Sequence, residues 1–151
     1  MKKNNMSLIP LIIVAVIGLV VSAVAHFCSL FHIYNPSREL IILINAGIII
    51  TIWPAIIIAK ETRDASAMVD PKELLFRVCP RWLSAMTGFL LIYAFAGLIY
   101  FVFKRYSANS SLADNSFRGF SGHWMALYSL ALAILYSCER LKNNNNLPEV
   151  Q

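Results

Sequence analysis

Four stretches of this chain are each long and apolar enough to cross a lipid bilayer as a helix. They run about 8–31, 39–59, 83–103 and 120–138, and none has an Asp, Glu, Lys or Arg in its middle. Each is close to the roughly 20 residues that a helix needs to cross a hydrocarbon core about 30 Å thick. The sequence therefore predicts an all-α integral membrane protein, a bundle of four transmembrane helices.

Composition agrees with a membrane protein and argues against a soluble one. The chain is 58% apolar and 14% charged, whereas about a quarter of the residues in soluble domains are charged. The longest connection, 60–82, is too short for a second globular unit, so residues 1–151 form a single membrane domain. The net charge of +5 is scattered over tails and connections. This pattern is typical of topology signals and contact with anionic lipid headgroups, and we expect no nucleic-acid partner.

The first apolar stretch has a second interpretation, the core of a cleaved signal peptide. Lys2 and Lys3 precede the apolar run, and Ala23-Val24-Ala25 has the small residues of a cleavage site. However, the apolar run continues to Ile33, which is too long for an ordinary signal core. This length favours a first span that is retained.

Lysine and arginine positions predict how the chain is threaded. With the N-terminus inside, nine of them lie on the inner side and four on the outer side, and positive residues near span ends are retained in the cytoplasm. We therefore expect both termini in the cytoplasm of a bacterium, with the four spans in its inner membrane. Lys104 and Arg105 oppose this orientation.

The connections carry their own patterns. Asp70, Pro71 and Glu73 have the spacing of a helix start, so we predict an amphipathic interfacial helix over about 71–79. The outer connection 106–118 is rich in Ser and Asn and is predicted to be a surface loop. The segment of about 142–151 contains an asparagine run and is predicted to be a disordered tail.

Small residues should mark the helix-packing seams, because membrane helices associate through close backbone approach and interhelical hydrogen bonds. Asn45 is expected to bond to a neighbouring helix, and Pro54 is expected to kink the second helix. The other predicted packing positions are Gly18, Ser22, Gly88, Gly97, Gly122 and Ala126.

Three cysteines and three histidines are the candidates for metal or redox chemistry. Cys28, Cys79 and Cys138 match no zinc or redox spacing, and buried thiols are the expectation. His26, His32 and His123 all fall near the outer side in the predicted topology. Imidazole binds zinc, copper and haem iron and carries protons. His32 lies about 240° around the helix from His26, so the two side chains cannot coordinate the same ion on a straight helix.

The segment Gly119-Phe120-Ser121-Gly122-His123 resembles the Gly-x-Ser-Gly motif of the rhomboid intramembrane proteases. The resemblance covers four residues and implies a serine nucleophile, Ser121, activated by a histidine. Rhomboids have at least six spans and carry their histidine on a helix after the serine. Here no predicted span follows the fourth, so His26 would have to be the histidine that activates Ser121. The structural interpretation is that Ser121 caps the fourth helix.

No motif specifies a reaction, so function is predicted only as a class. The first expectation is a non-enzymatic membrane protein with no cofactor, either an accessory subunit of a membrane complex or a membrane immunity-type protein. Its partners would be the bilayer and another membrane protein or a second copy. The alternative is a metal-, haem- or proton-handling protein that uses His26, His32 and His123, or an intramembrane serine hydrolase that uses Ser121.

Overall fold

Four long helices make up the part of the chain that the structure describes. The computed structural model describes residues 7–31, 33, 36–66, 78–107 and 113–144. The helices are α1 (Ile9–Leu30), α2 (Arg38–Ser66), α3 (Arg81–Ser107) and α4 (Ala113–Asn144). Over these ranges the protein is all-helical, as predicted from its apolar stretches.

Three of the described helices are long and apolar enough to cross a membrane, one fewer than the four stretches that the sequence pattern predicts, because α4 is more polar over its length. By length and composition, the crossing segments are Ile9–Leu30 in α1, Arg38–Thr62 in α2 and Arg81–Phe103 in α3. Each presents a row of large apolar side chains on its outer face, and such a surface is suited to hydrocarbon. Examples of these exposed residues are Ile17, Val20, Leu43, Trp53, Phe89 and Ile92.

The fourth helix, α4, lies at the centre of the bundle. It packs against α1, α2 and α3, whereas among the other helices only α1 and α2 pack extensively on each other. Ala131, Ala133 and Leu135 are fully buried. The hydroxyls of Ser129 and Ser137 are also buried, and each donates to a carbonyl of its own helix. A helix shielded by three neighbours needs less apolar surface, which explains why α4 is the most polar of the four.

Tyr128 joins three helices at one point. Its ring extends from α4 between Gly18 of α1 and Gly47 of α2, and a Cβ added at either glycine would collide with it. The phenol hydroxyl donates to the backbone carbonyl of Ile44 over 2.8 Å. Gly18 was predicted to lie at a packing seam, and its missing side chain is the space that the tyrosine occupies.

Several element boundaries differ from those that the sequence suggests. The helix α4 begins at Ala113 and not near 120, so Ser121 lies inside the helix and does not cap it. Adding residues to an existing helix costs far less than starting one, so polar residues can extend it. The helix also continues through 142–144, where a disordered tail was predicted. Residues 71–77 of the predicted interfacial helix and 145–151 of the tail lie outside the described residues.

Two predicted packing residues in α2 and α3 have surroundings other than those expected. Asn45 is exposed, and its amide donates to the carbonyl of Ile41 one turn earlier over 2.8 Å instead of crossing to a neighbour. A Cβ added at Gly88 would meet nothing within 4 Å. Pro54 lies inside α2, and the kink expected there stays a prediction. Sequence alone gives the small or polar character of a residue but not the side of the helix that faces a partner.

Contacts at the end where α1 starts tie three helices together. A carboxylate oxygen of Glu139 accepts from the backbone N–H of Leu8 at 3.2 Å. The Arg140 guanidinium donates to the carbonyl of Val78 at 3.1 Å.

All three cysteines are free thiols. Burial raises the pKa of the Cys79 thiol, against smaller opposing effects of a hydrogen bond with Ser137 and the Arg140 charge, so this thiol stays protonated and unreactive at neutral pH.

The packing of Tyr128 predicts how glycine substitutions affect stability. Gly18→Ala places a methyl group into the tyrosine ring and Gly47→Ala places one into its hydroxyl oxygen, and such overpacking costs about 1–3 kcal/mol. Both variants should unfold at lower temperature or denaturant concentration in detergent. The matched control is Gly88→Ala, which meets no atom and should leave stability unchanged or slightly higher. Equal behaviour of all three variants would contradict this packing.

Candidate functional site

A buried histidine with hydroxyl partners on two other helices is the most unusual polar feature of the bundle. The Nδ1 atom of His26 lies 2.6 Å from the Ser121 hydroxyl oxygen, and its Nε2 lies 2.7 Å from the Tyr93 hydroxyl oxygen. These residues belong to α1, α4 and α3 respectively. We call them the histidine cluster. It joins side chains that are 95 and 67 positions apart in the chain.

Both ring nitrogens of His26 are matched by groups that can donate or accept. A hydroxyl has one donor hydrogen and two acceptor lone pairs. In one tautomer Nε2–H donates to the tyrosine oxygen while Nδ1 accepts from the serine hydroxyl. The other tautomer reverses both bonds. The cluster therefore satisfies the imidazole in either neutral form without moving a heavy atom.

The local sequence explains how the cluster can be buried. On α1, Ser22, Ala25, His26 and Ser29 recur at helical spacing and all face the bundle interior. On α4, Gly122 follows the serine, and a Cβ added there would lie 3.2 Å from the Tyr93 ring. The glycine therefore lets the tyrosine lie against α4 close to the histidine.

Burial within the cluster is uneven. His26 is 2% exposed and Ser121 is fully buried. Tyr93 is 37% exposed, so its ring separates the other two from the outer surface of the bundle. Phe27 stands edge-on to the imidazole at 5.9 Å between ring centroids, and Phe89 stacks on the tyrosine at 6.5 Å. The cluster is thus surrounded on its outer side by aromatic rings.

Ser29 adds a second polar group close to the histidine. It lies one turn beyond His26 on the same buried face of α1. Its hydroxyl is 1% exposed and, within the described part of the chain, has no hydrogen-bond partner. A buried polar atom of this kind calls for an explanation, because most such atoms are paired.

Of the three histidines that the sequence singled out, the structure shows the contacts of His26 in the cluster. His123 is half-buried on α4, and neither of the two cluster bonds of His26 involves it. His32 lies outside the described residues. Among the residues that the structure describes, no three His, Cys, Asp or Glu side chains lie close enough together to hold a metal ion.

The cluster contains residues that the sequence alone did not single out. Tyr93 was missed, although a tyrosine well inside an apolar span is a signal, since tyrosines in membrane proteins are enriched at the interfaces. Outside the cluster, Ser29 and Gly47 were missed as well. The pairing of His26 with Ser121 was anticipated only as a requirement of the rhomboid-like motif, and the structure brings these two side chains together.

The hydrogen bonds of the cluster predict a measurable contribution to stability. Tyr93→Phe removes the partner of His26 Nε2, and Ser121→Ala removes that of Nδ1. Each should lower unfolding stability in detergent by about 0.5–2 kcal/mol. Combining them should show coupling, because both act on one imidazole. The control is Tyr136→Phe on an exposed tyrosine of α4, and an equal effect there would contradict the assignment.

Comparison with known proteins identifies no relative of this chain. No family model matches it, and neither a curated protein nor a solved structure does. What the chain does must therefore be inferred from its own residues. The histidine cluster and the apolar outer faces of the helices are the two features that bear on function.

Proposed function

We propose that this protein is a four-span membrane bundle with both termini in the cytoplasm of a bacterium, embedded in the inner membrane. Support comes from the three apolar helices and from the central position of α4, which packs against all of them. A helix that crosses beside three lipid-facing neighbours can carry serines and a histidine at low cost, because protein and not hydrocarbon surrounds it. The excess of lysine and arginine on one side supports the orientation.

Within that membrane, the protein acts as a non-enzymatic accessory subunit of a larger complex or as an immunity-type protein. The observation that carries this proposal is that the buried polar groups of His26 are bonded inside the bundle, while the outward faces of α1, α2 and α3 are apolar. Such a surface meets other membrane helices through van der Waals packing. Another membrane protein or a second copy is the expected partner.

The metal or haem alternative is less well supported by this geometry. A metal ion needs a free lone pair on an imidazole nitrogen, and both nitrogens of His26 already face hydroxyls at 2.6 and 2.7 Å. Binding an ion there would break at least one of these bonds and would require further ligands.

A second candidate function, an intramembrane serine hydrolase, is favoured by one specific observation. The 2.6 Å contact between His26 Nδ1 and the Ser121 hydroxyl is the separation expected between a general base and a serine nucleophile. Tyr93 holds the opposite nitrogen, as the orienting third group does in such sites. Against this, the serine lies inside a helix and is fully buried.

The proposed topology has a direct test. Reporter fusions should place the N-terminus, the end of α2 at Ser66 and a position after Asn144 in the cytoplasm. Fusions at Ser37 and Ser107 should report from the other side. A cytoplasmic signal at both Ser66 and Ser107 would mean that α3 does not cross, and opposite signals at Ser66 and after Asn144 would mean that α4 does not.

The accessory function predicts partner recovery without a prosthetic group. The protein isolated from native membranes in mild detergent should bring down a discrete membrane partner or a second copy. Its absorption spectrum should lack a Soret band, and its metal content should be far below one ion per chain. A stoichiometric metal or haem that is lost in His26→Ala but retained in Gly88→Ala would overturn this proposal.

A further inference from the structure

The seam between α1 and α3 is the side from which the histidine cluster can be reached. The helices α1, α2 and α3 all pack on α4, and α1 packs on α2, but α1 and α3 do not pack extensively on each other. A side-chain hydrogen bond between His26 and Tyr93 links α1 and α3. Rotation of this tyrosine would expose the imidazole and Ser121 to the lipid side of the bundle.

The chemistry of this seam limits what can enter it. Its visible rim is made of the rings of Phe27, Phe89 and Tyr93, and the first two are more than half exposed. The contacts described for His26 involve hydroxyls and aromatic rings but no carboxylate or ammonium group. An apolar chain would pack against the exposed rings of Phe27 and Phe89. An uncharged group attached to an apolar chain fits this rim.

The buried Ser29 hydroxyl is a second observation that points to a ligand in the same place. It lies one turn from His26 on the same face of α1, is 1% exposed, and has no partner within the described part of the chain. Hydroxyl donors of this kind stabilise the oxyanion that forms when a nucleophile adds to a carbonyl. A substrate carbonyl placed between the two helices would supply the acceptor that this hydroxyl lacks.

We propose that Ser121, with His26 as its base, cleaves an acyl ester carried by an apolar chain that enters from the bilayer between α1 and α3. This inference rests on the second candidate function and adds its substrate class and entry route. Tyr93 acts as a positioning residue that orients the imidazole and covers the entrance.

The reaction proceeds in two balanced steps. The Ser121 oxygen adds to the ester carbonyl carbon while its proton passes to His26 Nδ1. The ester C–O bond then breaks, and the departing alcohol takes that proton. Water adds to the acyl-serine and gives a proton to the same nitrogen. The bond between the serine oxygen and the acyl carbon breaks, and the oxygen regains the proton, so that ester and water become a carboxylic acid and an alcohol.

The first arm of the test asks whether Ser121 is a nucleophile at all. The full chain, purified in detergent and also in phosphatidylcholine vesicles, is treated with an alkyl fluorophosphonate and mapped by mass spectrometry. Labelling is expected at Ser121, absent in Ser121→Ala and at least about 100-fold slower in His26→Gln. The matched control is Ser129→Ala, a buried serine on the same helix bonded to its own backbone, which should be labelled at the wild-type rate. An unlabelled, folded wild type in both media overturns the inference and the hydrolase function together.

The second arm tests the substrate class and the entry route. In vesicles, p-nitrophenyl decanoate should be hydrolysed at least about tenfold faster than the acetate, and Ser29→Ala should lower that rate by about 10²-fold. Tyr93→Phe should shift the pH profile of labelling, a change that partial unfolding alone would not produce. Labelling of Ser121 without a preference for the long chain overturns the inference and leaves the hydrolase function standing. Circular dichroism and gel filtration confirm that each variant is folded.

Discussion

Burial of α4 by the three other helices is the constraint on which the rest of this structure depends. In hydrocarbon, polar side chains and backbone groups must be satisfied within the protein. In α4, the hydroxyls of Ser129 and Ser137 donate to carbonyls of their own helix, Ser121 contacts His26, and α1, α2 and α3 cover the helix. Where the packing is closest, Tyr128 fills the space left by two glycines and bonds to a backbone carbonyl of α2. The apolar outer surface follows from this arrangement, since the three covering helices face outwards.

Much of the helical organisation could be read from the sequence, because apolar length and charge placement are local properties of the chain. The extent of α1 and its buried side around Ser22 agree with the sequence pattern, whereas α2 continues to Ser66, past the predicted end at 59. The start of α4 does not, because a polar segment with loop-like composition continues an existing helix. Composition alone could not show this extension.

The site was less accessible to sequence reasoning, since it depends on which helices are neighbours. Periodicity places His26 on the inner face of α1 but cannot say that Tyr93 of α3 and Ser121 of α4 meet it. The same limit explains Gly88, whose small size suggested a seam although its surroundings are open, and Asn45, whose amide bonds within its own helix. Small and polar residues indicate possible contacts, and only the packing selects among them.

The helix order along the chain has a consequence for how this fold is reached. The segment that α1, α2 and α3 share as a packing partner is α4, which leaves the ribosome after all of them. Until α4 arrives, the His26 imidazole lacks the Ser121 hydroxyl, and the space beside Gly18 and Gly47 is not filled by Tyr128. At that stage α3 has no extensive contact with α1 or α2. Folding therefore ends in a single late docking event, because α4 is the helix that joins α3 to the packed pair of α1 and α2.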